Sequence, residues 1–250
     1  MLFKIAEFLI IRCGCLIWAA SCFGANAAAG QQDPVTALVH VGSRPQGKAT
    51  VAVARGDGEV VVWLKPLDRA GSTSETQPKR HKLIQSHKIF EPHILIVQIG
   101  SVVEFPNHDP FFHNVFSLFE GKRFDLGLYE AGATNSVRFD RPGVSFLFCN
   151  IHPEMSAVVV SVDTPYYGKS DTSGKVTIAN VPDGKYELHY WSERGLPDSL
   201  RELTRTVIIS SSTRSLAPVQ IAENPDFTAV HKNKYGQDYA PPPNVDYSRP

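Results

Sequence analysis

The sequence predicts an all-β chain of the β-sandwich type, on three observations. β-Branched and aromatic residues come in short runs, and Gly, Pro, Asn and Asp separate those runs at short, regular intervals. That spacing belongs to sandwich strands rather than to βαβ units. With 250 residues, 42% of them hydrophobic, the chain is long enough for one large core or two small ones. Basic and acidic residues balance at 25 each, with no long basic run, so the electrostatic footprint of a nucleic-acid binder is missing.

From the amino terminus, Lys4 and Arg12 flank an apolar stretch over residues 13–20, followed by Ala25-Asn26-Ala27-Ala28-Ala29. A positive flank, a short apolar core and an Ala-x-Ala site are the parts of a secretory signal peptide. The expectation is cleavage after Ala27 or Ala29 and a periplasmic mature protein. The alternatives are an uncleaved anchor and a lipidated Cys22, although Ala19 stands where a lipoprotein site usually has a branched aliphatic residue. Beyond residue 30 no apolar run approaches the roughly 20 residues that cross a bilayer, so no integral span is expected after cleavage. Cleavage would remove Cys13, Cys15 and Cys22 and leave Cys149 alone in an oxidising compartment. A single thiol there is exposed to oxidation and mispairing unless it is buried or ligated.

Strands are expected over residues 35–41, 49–54, 60–64, 94–99, 101–105, 114–118, 136–139, 144–148 and 156–162, then 175–178, 186–191 and 204–209. The one helical candidate is a short piece at 196–203. Residues 68–82 are polar and read as a surface loop. From residue 224 onward Asn, Tyr, Lys and Pro dominate, too poor in branched apolar residues to build a core, and an extended tail is expected.

The chemistry concentrates in Phe148-Cys149-Asn150-Ile151-His152-Pro153-Glu154-Met155, where one apolar strand ends and another begins. A thiolate, an imidazole and a thioether on one tight loop are soft or borderline ligands that suit copper better than zinc. A blue-copper centre needs a second His. His113 is the candidate, at the head of a strand after the turn Asn107-His108-Asp109-Pro110. Asn114 is expected to hydrogen-bond across to the Cys149 loop and hold the two ligand segments in register. The competing accounts are a plain buried thiol at Cys149, and a Cys149–His152 nucleophile and base pair with no evident orienting group. His93 is open between a distal ligand or partner contact and a solvated loop residue; the role of His108 is open. Phe111 and Phe112 are core residues or part of a docking patch.

Phe90-Glu91-Pro92, Val97, Gly100, Val103, Phe105, Asn107, Asp109 and His113-Asn114, followed by Cys149-x-x-His152-Pro153-x-Met155, resemble the cupredoxin family of plastocyanins, amicyanins and pseudoazurins. The chain is also similar to bacterial exported proteins labelled plastocyanin-like or methylamine-utilisation. The resemblance covers about residues 85–163. It implies a Greek-key cupredoxin β-sandwich holding one type 1 copper ion, with His113, Cys149 and His152 as strong ligands, Met155 axial and Asn114 behind them. Glu154 departs from the family, whose short loops carry an apolar residue there.

Residues 171–188, with the turn Val181-Pro182-Asp183-Gly184, resemble the carboxypeptidase-regulatory and transthyretin-like sandwiches. Those strands cannot bury both faces alone. The expected organisation is therefore a copper domain at 83–163 inserted into a second sandwich built from 35–67 and 164–222, with a tail at 223–250; the alternative gives 35–64 to the cupredoxin itself. The expected function is one-electron transfer outside the cytoplasm, without enzyme activity or catalytic residues, to a cytochrome or dehydrogenase partner. A copper-delivery protein or a metal-free binding module is the alternative.

Overall fold

The computed structural model describes residues 33–42, 59–68, 79–118, 121–227 and 231–239. The signal peptide expected over residues 1–29 and the strand expected at 49–54 lie outside the described residues, as does most of the expected loop, 69–78.

Two strands come first, β1 (Val35–Val41) and β2 (Val60–Pro66). The middle of the chain forms β3 (Arg80–Lys82), β4 (Ile84–Ser86), β5 (Ile89–Glu91), β6 (Ile94–Gln98), β7 (Val102–Pro106), β8 (His113–Ser117), β9 (Phe124–Tyr129), β10 (Thr134–Arg138), β11 (Gly143–Phe148) and β12 (Ser156–Val162). Then come β13 (Tyr167–Lys169), β14 (Lys175–Ile178), β15 (Gly184–Ser192), the helix α1 (Pro197–Leu203), β16 (Arg205–Ile209) and β17 (Val219–Ile221). Pro197 suits the first turn of α1, where its missing amide costs nothing.

Four of the sheets stack face to face, in the order β14-β1-β17, then β13-β2-β15-β16, then β6-β12-β11-β8-β9, then β10-β7-β3. Period-two alternation distributes side chains among the three cores between them. On β2, Val60, Val62 and Leu64 enter the outer core with Val35, Ile178 and Leu188, while Val61 faces the middle core. On β12, Val158, Val160 and Val162 enter that middle core, while Ala157 and Val159 face the third with Phe105, Phe139, Leu147, Cys149 and Met155. This explains two uninterrupted apolar runs in the sequence: a strand with sheets on both faces has no polar side to alternate with.

β2 and β15 pair antiparallel, with Leu64 opposite Leu188 and Val61 opposite Trp191, across the whole of β3 to β12. β13 then pairs with the other edge of β2. The Thr164 hydroxyl, fully buried, donates to the Leu64 carbonyl at 2.8 Å and fixes the point where the inserted sandwich returns to the outer one.

One expectation needs correction, and one open reading is settled in part. The segment at 80–82 is not loop but the edge strand β3, parallel to β7, with Arg80 bonded to Glu104 at 2.8 Å. Its Arg-His-Lys sequence hides it, since charged side chains on a sheet edge guard against further pairing and show no apolar alternation. His93, left open by the sequence, is exposed but tied at both ring nitrogens. One ring nitrogen, Nδ1, lies 3.1 Å from the Ser156 carbonyl on β12 and the other, Nε2, 2.7 Å from Glu193 Oε2 just past β15, bridging the two sandwiches.

Both acceptors are satisfied only by a doubly protonated ring, and the Glu193 hydrogen bond, partly opposed by burial, raises the His93 pKa, with Glu59 adding to the field. A raised folded-state pKa gives stability that is full below the unfolded value and is lost as pH rises through the folded one. Denaturant titrations of wild type and Glu193→Gln should therefore differ more at about pH 5.5 than at about pH 8.5, by less than about 1 kcal/mol because the pair is partly exposed. A pH-independent difference would show that the bridge is uncharged.

Candidate metal centre

The site is assembled by two loops of the β10-β7-β3 and β6-β12-β11-β8-β9 pair. The first follows β7. Buried Asn107 knots it: its side-chain Nδ2 donates to the Phe111 carbonyl at 2.8 Å and its Oδ1 accepts the Asp109 N–H at 3.0 Å. An Asn folding back on its own backbone makes a turn without help from a ladder. The knot delivers His113 fully buried to the head of β8.

Asp109 sets the orientation of His113. Its Oδ2 lies 2.8 Å from His113 Nε2, and it also accepts the amides of His87 at 2.6 Å and Lys88 at 3.0 Å. His87 and Lys88 both have positive φ, 55° and 57°, in the turn between β4 and β5, which points their amides at the carboxylate. Burial alone would raise the Asp109 pKa, but the Lys88 amide, the His113 ring and the His87 amide outweigh it and hold the carboxyl below its usual range. An ionised Asp109 accepts a hydrogen bond from His113 Nε2–H, which leaves the Nδ1 lone pair of His113 facing the second loop.

That loop runs from Cys149 to Met155 between β11 and β12, whose pairing places Phe148 opposite Ser156. Two backbone bonds close it, from Cys149 N–H to the Met155 carbonyl at 3.2 Å and from Met155 N–H to the His152 carbonyl at 3.1 Å. Cys149 and Met155 are fully buried in the same core, and His152 is half-buried.

His113, Cys149 and His152 converge, with their donor atoms all within 4.8 Å of one another. Cys149 Sγ lies 3.8 Å from His113 Nδ1 and 3.6 Å from His152 Nδ1, and the two Nδ1 atoms are 3.2 Å apart. Bonds of about 2.0 Å to imidazole nitrogen and about 2.3 Å to thiolate, as in zinc sites, put donors of one ion about 3 to 4 Å apart. The three residues fit a single metal ion. Burial pushes the Cys149 thiol up, although the amides of Asn114, Ile151 and His152 point at the sulfur and pull it down. Burial, reinforced by the nearby Lys88 ammonium, pushes His152 down, which favours the neutral imidazole a metal requires.

Asn114 does not act as expected. Its side-chain amide donates instead to Asp125 Oδ1 at 2.8 Å and to the Gly127 carbonyl at 2.9 Å. The pairing of β8 with β9 slips between Asn114 and Phe116, and Gly127, at φ +68°, takes up the irregularity. A bulge re-aims the strand that carries it. Asn114 pins this one beside His113, while its backbone amide, not its side chain, reaches the sulfur.

Phe111 is partly exposed, with its ring centroid 5.3 Å from that of His113 and 5.5 Å from that of His152. Phe112, next to it in sequence, and Ile151, next to His152, are also exposed, and Lys88 Nζ sits 5.6 Å from the Phe111 centroid. His108 stays outside the site, its backbone amide bonded to the Gln85 carbonyl at 2.8 Å. Sequence reasoning assigned no role to Asp109, although its spacing of four before His113 was visible, and gave none to the tail residues His231, Lys234 and Tyr239, which also reach the site.

No protein-family model and no curated protein sequence matches the chain. Solved structures similar to it include a purple cupredoxin from Nitrosopumilus maritimus, at 22% identity and a TM-score of 0.30 over 33% of this chain and 99% of that one. A reduced amicyanin variant matches at 22% identity and 0.31 over 33% and 82%. A copper-containing nitrite reductase from Thermus scotoductus matches at 22% and 0.33 over 40% and 26%.

Asn114→Ala should remove both β9 bonds, cost about 1 to 3 kcal/mol as a buried network is broken, and loosen His113. Chemical denaturation with nuclear magnetic resonance of the His113 ring checks this; an unmoved His113 signal would take Asn114 out of its support.

Proposed function

We propose that this protein is an exported type 1 copper protein that carries single electrons, and that it is not an enzyme. The observation that carries it is the convergence of His113 Nδ1, Cys149 Sγ and His152 Nδ1 within 4.8 Å of one another, with Met155 buried next to Cys149 in the same core. Two imidazoles and a thiolate with a nearby thioether are the blue-copper donor set, whereas structural zinc sites use Cys and His without Met. Copper bound there would supply a one-electron couple.

The chain's own residues account for the rest. Asp109 holds the His113 ring in one tautomer, and the closed loop fixes Cys149, His152 and Met155 between two paired strands. A site that barely moves between oxidation states loses little energy in transfer. His152 is the half-buried member of the three, beside Phe111 and Ile151, and gives the electron its route to a cytochrome or dehydrogenase. Export through a cleaved signal peptide would place that exchange in the periplasm.

The copper-loaded protein should show an intense visible thiolate-to-copper band, and Cys149→Ser should abolish it, since a hydroxyl cannot replace the thiolate. In Met155→Leu the copper should stay bound while the reduction potential shifts, because only the weak ligand is lost. Were Met155 a packing residue alone, Leu would cost under about 1.5 kcal/mol and leave both spectrum and potential unchanged. A colourless Cu(II) protein would overturn the copper centre as a whole.

A further inference from the structure

The polar carboxy-terminal segment, too apolar-poor to join a core, packs against the metal centre. Tyr239 donates its hydroxyl hydrogen to the backbone carbonyl of Cys149 at 2.6 Å. The Lys234 amide donates to Asn150 Oδ1 at 2.9 Å. The His231 ring stacks on Phe148, with centroids 4.2 Å apart and planes 28° apart, and Tyr239 packs edge-on against His231. Lys234 Nζ pairs with Asp125 Oδ2 at 2.7 Å, and the other oxygen of that carboxylate holds the Asn114 side chain.

These contacts touch both ligand-bearing segments. Tyr239 and the Lys234 amide hold residues 149 and 150 of the second loop, and the Lys234 ammonium reaches through Asp125 to the residue after His113. The segment is braced on its own account: Asn233 Oδ1 accepts the Tyr235 and Gln237 amides, the Gly236 amide returns to the Asn233 carbonyl, and Asn233 N–H donates to the Gln237 carbonyl. Such a turn needs no core, because an Asn side chain replaces the missing ladder.

We propose that residues 231–239 are a clasp that fixes the position of the Cys149 loop relative to the His113 segment, with Tyr239 and Lys234 as positioning residues for the metal ligands. The bond to the Cys149 carbonyl orients the peptide that follows the thiolate. Groups behind a ligand set its geometry, and their loss changes affinity and electronic character while leaving the ligands in place. The consequence for a bound ion rests on the copper centre proposed above; the effect on the loop does not.

The experiment uses the full chain, first without metal. Amide hydrogen exchange is followed at Cys149 and Met155, whose bonds close the loop, with the amides of β15 as the reference for global stability. In Tyr239→Phe, which keeps the ring and removes the hydroxyl, exchange at both should rise roughly fivefold while β15 is unchanged. Lys234→Met, which loses the Asp125 pair but keeps its backbone bond, should show a smaller rise and serves if the Tyr239 variant does not fold. In the copper-loaded protein, Tyr239→Phe should shift the thiolate band and release copper to a chelator roughly tenfold faster. Loop exchange unchanged in both variants overturns the clasp. A wild type with no thiolate band, beside faster loop exchange in Tyr239→Phe, retains the clasp and removes the copper centre.

Discussion

The hydrogen bond from His113 Nε2 to Asp109 is the constraint on which the site depends. A buried imidazole can present either nitrogen, and only one choice makes His113 a ligand to the same point as Cys149 and His152. Asp109 makes that choice because it is held ionised by two backbone amides from the β4–β5 turn, so that a hairpin with no ligand in it decides a ligand's tautomer. The order of cause runs from positive φ at His87 and Lys88, through two amide bonds, to a lone pair at His113 Nδ1.

A site of this kind needs walls that do not relax, and the stacked sheets supply them. The β6-β12-β11-β8-β9 sheet carries the ends of both ligand loops and is buried on both faces, against β7 and β10 on one side and against the β2–β15 sheet on the other. Interiors at crystal-like density resist displacement, so a loop anchored at Phe148 and Ser156 inherits that stiffness. The second sandwich thus has a mechanical role without touching the ligands. It turns an exposed sheet face into a packed one.

Sequence patterns made the long strands legible because each has a face to hide: β1, β2, β11, β12, β14 and β15 lie where alternation or an unbroken apolar run placed them. The convergence of His113, Cys149 and His152 was legible for a different reason: Cys149 and His152 share one loop, and a copper donor set needs a second imidazole, which the turn before β8 supplies. What stayed hidden has little apolar area. β3 is charged, β5 and β13 are three residues long, and β9 carries Gly127 at its bulge. Asn114 was expected to bridge to the Cys149 loop, but a side-chain amide goes to whichever acceptors its strand presents, and a slip in β8–β9 register cannot be counted from sequence. The tail was invisible for the same reason. It docks through a few directed bonds, and composition registers only buried area.

The electrostatics of the pocket show how far the chain prepares itself for an ion. Burial pushes His152 towards the neutral imidazole and Cys149 towards the neutral thiol, two shifts with opposite meanings for ligation. The imidazoles are ready to bind, since His152 is biased against its proton and Asp109 has committed that of His113 to Nε2. The thiol is not, because a buried thiolate needs a positive partner, and three amides pointing at the sulfur offset its desolvation only in part. The site therefore stores an unmet demand for one positive charge at the point where the three donors meet. A coordinating thiol beside a cation is deprotonated outright, so a cation where the three donors meet would supply the positive partner that burial denies the thiolate.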